Sequence, residues 1–145
     1  MRRRTKGVLS ALALSLVTAS PAWAQGSSVQ GLWRGGDTTI RVTVSGTEAR
    51  ALFVDVGTSA RALGFKPGEV SFVATTIENF LYGVQTVRYG KCHPNGRKVP
   101  VIGRLTADGQ TLAIHNYLIT VDANCRDTGE YTLQQSLWQR VPGGR

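Results

Sequence analysis

The 145-residue sequence contains no Gly-x-Ser-x-Gly elbow, no His-Glu-x-x-His pair and no glycine-rich phosphate loop. Each absence removes a reaction class whose geometry needs that spacing: an exposed serine nucleophile, a zinc pair on one helix face, a cradle of backbone amides for phosphate. Histidine occurs twice, as His93 and His115, and acidic residues only nine times. The acids fall mostly at turn positions, where capping or solvation accounts for them. Asp55 is the exception. It sits in the apolar run LFVDV, where it either faces an interior or starts the turn at Gly57, and the turn reading is preferred. With no nucleophile–base pair visible, the sequence supports neither an enzyme nor a cofactor. Beyond residue 25 there is also no long apolar stripe with a 3.6-residue period, which argues against a helical bundle.

The one long apolar run lies at the N-terminus. MRRRTKGVLSALALSLVTASPAWAQG opens with Arg2, Arg3, Arg4 and Lys6, continues apolar from Val8 to about Ala19, and ends in Ala22-Trp23-Ala24. That three-part pattern predicts a secretory signal peptide, residues 1–24, cleaved after Ala24, with one domain over 25–145. The run is shorter than the roughly 20 residues a spanning helix needs, so no membrane span is expected after cleavage. Gln25 follows the cut where a lipoprotein would carry cysteine. A soluble periplasmic or secreted protein is expected. Loss of the four cationic residues takes the net charge from +8 to +4. The remaining basic residues are scattered apart from Lys91, Arg97 and Lys98, which is no nucleic-acid footprint.

Cysteine is limited to Cys92 and Cys125. In an exported domain two cysteines usually pair, so a disulfide is expected rather than a free thiol. The two cysteines and two histidines match no zinc-site spacing, and no metal is expected. His93 reads as an exposed loop residue and His115, beside Asn116, as a turn residue.

Glycine is abundant, and short alternating stretches are separated by turn signals. TTIRVTV (38–44) sets Ile40, Val42 and Val44 against Thr39, Arg41 and Thr43. Further strands are predicted over 48–56, 70–77, 80–89, 99–106, 110–114, 117–121 and 131–141, with one helical turn around Ala60–Leu63. Gly83 marks a bend or a close backbone approach. Asp108-Gly109 between apolar runs predicts a hairpin in which both turn residues take positive φ. The expected fold is all-β: a single antiparallel up-and-down barrel of about eight strands, with one disulfide tying two loops at one rim.

Gly31-Leu32-Trp33 at the start of the first strand resembles the Gly-x-Trp motif of lipocalins and related calycin barrels, and Arg140 in LWQR stands where that superfamily places an arginine over the tryptophan. The resemblance implies a cation–π stack of Arg140 on Trp33 closing one barrel end. Plain core packing is the other reading of Trp33 and Trp138. The segment 57–69 is short for a lipocalin lid, and streptavidin-like barrels, including periplasmic protease inhibitors, resemble the chain as well.

Two functions are consistent with such a barrel. The first is binding of a small, mainly apolar molecule, with or without an anionic group, in the lumen, with Phe53, Phe72 and Tyr82 as candidate ligand contacts. The second is a protein-interaction module of the envelope, such as an inhibitor or assembly factor. An interior cavity of about 300 Å³ or more would favour the first, and a filled lumen the second.

Overall fold

A computed structural model describes residues 28–144. The expected signal segment and its cleavage site lie outside the described residues. Eight antiparallel strands close into one barrel in chain order: β1 (Gly31–Gly35), β2 (Thr38–Ser45), β3 (Glu48–Asp55), β4 (Val70–Ile77), β5 (Phe80–Val87), β6 (Arg97–Leu105), β7 (Thr111–Val121) and β8 (Asp127–Arg140). A short helix, α1 (Thr58–Ala62), lies in the β3–β4 connection.

Alternation along the strands drives the closure. Ile40, Val42, Ala51, Phe72, Leu81, Val101, Leu105, Leu112 and Ile114 are all buried. Burying each large member of this set contributes about 1.5–3 kcal/mol relative to exposure. Small residues make room for large ones. A Cβ on Gly83 would sit 2.1 Å from the Val73 carbonyl oxygen, and one on Gly103 would sit 2.8 Å from Leu81 Cδ1. Gly83 therefore marks a close backbone approach, and Leu81 fills the space above Gly103.

The two ends differ. At one end Trp33 is fully buried, and its indole N–H donates to the Val29 carbonyl at 2.8 Å. The Arg140 guanidinium lies 4.3 Å from the ring centroid and donates to the carbonyls of Gly109 (2.7 Å), Gln30 (2.8 Å) and Ser28 (2.6 Å). Arg140 thereby ties the N-terminal segment, the β6–β7 turn and the last strand together. In that turn only Gly109 takes positive φ, at 70°. The loop is longer than a two-residue hairpin: the Gly109 amide donates to the Thr106 carbonyl at 2.9 Å, and the Asp108 carboxylate accepts from the Gln110 amide at 3.0 Å and the Thr106 hydroxyl at 2.6 Å.

At the other end the wall opens. β1 and β8 pair only at Trp33↔Arg140 and Arg34↔Gln139, so β8 from Asp127 to Leu137 is paired with β7 alone. β6 and β7 pair from Leu105↔Leu112 to Val101↔Asn116 and then part. Cys92, in a 3-10 turn (Gly90–Cys92), is bonded to Cys125 in the β7–β8 loop with Cα atoms 5.0 Å apart. The bond suits an oxidising, non-cytoplasmic compartment.

Two local expectations need correction. The segments 110–114 and 117–121 belong to one strand, because His115 and Asn116 keep their ladder partners Ile102, Gln135, Val101 and Gln134. His93 is half-buried rather than exposed, with its ring 5.7 Å from that of Tyr89. Asp55 faces solvent and accepts from the neighbouring Val56 amide at 2.9 Å, while the Gly57 amide donates to the Thr38 hydroxyl at 3.1 Å.

Candidate functional site

Two features at the open end remain after the core is accounted for: a small mouth pocket and an apolar outer wall.

The mouth pocket has a volume of about 210 Å³ and is lined by Phe53, Phe65, Leu63, Trp138, Gln85 and Asn116, among others. Helix α1 roofs it, tethered by Asp37, whose carboxylate accepts from the Thr58 amide at 2.8 Å, and by Thr38, whose hydroxyl accepts from the Gly57 amide at 3.1 Å. The Phe53 and Phe65 rings lie 5.1 Å apart, and the Arg88 guanidinium stacks 4.7 Å from the Phe65 centroid. Arg88 is already neutralised: it donates to Glu69 at 3.1 Å and to the Gly64 carbonyl. Two polar atoms here are buried without a partner, Gln85 Oε1 and Arg88 Nε. Burial pushes the Glu69 carboxyl upward, but the Arg88 and Lys66-amide hydrogen bonds and the nearby charges outweigh it and hold the group below its ordinary range. The hydrogen bond from Arg97 likewise holds Asp127 down, and the one from Thr106 holds Asp108 down.

These shifts have a definite sign. A carboxyl depressed in the folded state contributes stability that is present above its unfolded pKa and is lost as pH falls through the folded value. The thermal midpoint is expected to hold from neutral pH to about 5, then to drop steadily below about pH 4.5. Glu69→Gln should lower the midpoint at neutral pH and reduce the further acid-induced drop. Thermal melts of both proteins across that range check this, and parallel curves would count against it.

Of the expected ligand contacts, Phe53 lines this pocket. Phe72 lies deep in the core, 1% exposed. Tyr82 does not face the interior. It is 44% exposed on the outer wall, because the inward positions of β5 are Leu81, Gly83 and Gln85. Sequence reasoning missed Phe65, Gln85 and Asn116. The polar Gln85 at an inward position within GVQTV was the available signal.

The outer wall gathers Tyr82 and Val84 of β5, Ile102 of β6, Tyr117 of β7, and Tyr131, Leu133 and Leu137 of β8. These are seven of the ten large hydrophobic residues exposed among the described ones. The ladders place them side by side: Tyr82 opposite Ile102, Tyr117 opposite Leu133, Ile119 opposite Tyr131. Where β6 and β7 part, a cleft of about 350 Å³ opens between Lys98, Val99 and Pro100 on one side and Tyr117, Ile119 and Tyr131 on the other. No family model matches the chain, and no curated protein matches it.

Proposed function

We propose that the protein is an exported interaction module that docks a protein partner on the outer wall of β5–β8. The observation that carries this reading is the clustering of seven exposed large hydrophobics on one wall, while the cavity at the barrel mouth is only about 210 Å³. A soluble domain spends exposed apolar area of this extent on recognition, since patches beyond a few hundred Å² otherwise invite aggregation. Aromatic residues, here Tyr82, Tyr117 and Tyr131, are also the type enriched in protein interfaces. The closed meander, with Trp33 beneath Arg140, supports a place among calycin-like barrels, some of which act on other proteins. Native mass spectrometry of the protein purified from its own source cells tests the reading. A co-purifying polypeptide is expected, and Leu133→Glu, at a position 56% exposed and harmless to the core, should release it. A protein that stays bound to the Leu133→Glu variant, or no bound protein at all, would overturn it.

A second reading has its own support. The mouth pocket combines apolar walls with the unpartnered Gln85 Oε1, the usual mark of a small-molecule site. Its volume suits only a compact molecule, and since Arg88 is paired with Glu69 the site favours a neutral one. A small-molecule adduct in the same spectrum, lost in Gln85→Leu, would favour this reading.

A further inference from the structure

We infer that the cleft between β6 and β7 seats one bulky apolar side chain from an extended, acidic segment of the partner. This rests on the interaction reading and names the partner's chemistry. Past Val101↔Asn116 the two strands no longer pair. Arg97–Pro100 keep only their β5 partners, and Tyr117, Leu118, Ile119 and Val121 only their β8 partners, so each strand turns an edge toward the cleft. The gap is built. The Cys92–Cys125 bond and the Arg97–Asp127 ion pair span its outer end, and the Tyr89 hydroxyl accepts the Ile119 amide at 3.0 Å, in the place of a strand partner. The floor is Val99, 1% exposed, and the sides are Pro100, Tyr117, Ile119 and Tyr131. Such a lining offers an apolar anchor a dry seat and offers a polar metabolite almost nothing to orient it. The unpaired edge of β6 beside the cleft favours a chain that lies extended.

Charge selects the flanking residues. Lys98 borders the cleft, and Lys91 and Arg126 sit next to the two bonded cysteines. None of the three has a carboxylate partner among the described residues. A second copy of this chain would bring the same three cations to the same place, whereas an acidic segment would complement them.

Fluorescence anisotropy with a labelled Glu-Glu-Trp-Glu-Glu peptide, titrated against the oxidised protein, tests the assignment. Saturable binding is expected with a dissociation constant below about 1 mM. It should weaken about tenfold on changing the peptide's tryptophan to alanine, and again between about 0.05 and about 0.5 M salt. A Lys-Lys-Trp-Lys-Lys peptide should not bind. Tyr131→Glu and Lys98→Glu, both at exposed positions, should each weaken binding about tenfold, while Arg41→Glu on the opposite side leaves it unchanged. Circular dichroism of each variant establishes that it is folded. Absence of binding, or equal binding of the tryptophan, alanine and lysine peptides, overturns the inference. So does a dimer in sedimentation experiments that Tyr131→Glu dissociates, since the cleft would then belong to a second copy. If the peptides fail while a co-purifying protein still depends on Leu133, the inference falls and the interaction reading stands.

Discussion

Replacing Trp33 with alanine is expected to lower the unfolding free energy by about 3–5 kcal/mol, the range for deleting a large buried aromatic. Against a total of about 5–15 kcal/mol for a domain, that is enough to leave much of the protein unfolded at 37 °C. Three losses combine. The ring is fully buried and its removal leaves a void at the tight end of the barrel. The Val29 carbonyl loses its only described side-chain donor. Arg140, which stacks on the ring, loses the surface that orients its three carbonyl contacts. Trp33→Phe separates these effects. It keeps an aromatic face for Arg140 but deletes the indole donor, and it should cost distinctly less than the alanine variant. Urea unfolding followed by circular dichroism measures both. A loss under about 1 kcal/mol for Trp33→Ala would mean that the end relaxes to fill the void, and that Trp33 is not the keystone of the closure.

The architecture was legible because its cause is local. Period-2 alternation in TTIRVTV reappears as a strand with Ile40 and Val42 inside, and the turn residues fall where the strands end. Facing was less legible, since alternation separates two sets of side chains without telling which set is inside. Tyr131, Leu133 and Leu137 share one face with Gln135 between them, yet this more apolar face points outward, and the inward positions Thr132 and Gln134 are polar and also exposed. The reason is that β1 stops at Gly35, so no strand covers the first half of β8. The same ambiguity put Tyr82 on the wrong side. His115-Asn116 looked like a turn because two polar residues interrupt an apolar run. The strand continues because Asn116 is buried beside the mouth pocket, where a polar side chain is tolerated, and His115 lies on the outer wall. The cleft had no sequence signal at all. It arises from where β6 and β7 stop pairing, which depends on the loops around the disulfide.

Converting Cys92 and Cys125 together to serine is expected to lower stability by about 3–4 kcal/mol, the chain-entropy value for opening a loop of this length. The bond closes a separation of 33 residues and joins two loops at the open rim. It crosses no ladder, so the far-ultraviolet spectrum should be unchanged while the urea midpoint falls. A second, local effect distinguishes a staple that merely restrains the unfolded chain from one that shapes the native cleft. Without the bond, the outer end of the β6–β7 gap is held by Arg97–Asp127, an exposed pair of the kind worth at most about 1 kcal/mol, and by the Tyr89 hydroxyl on the Ile119 amide. The Ile119 amide should therefore exchange with solvent much faster in the serine variant, by more than the global loss of stability predicts from core amides such as that of Ile40. Hydrogen exchange read residue by residue measures both together. If the Ile119 and Ile40 amides accelerate by the same factor, the bond acts only on the unfolded state. If Ile119 alone accelerates further, the disulfide sets the width of the cleft, and reduction should abolish binding of the acidic tryptophan peptide while the barrel stays folded.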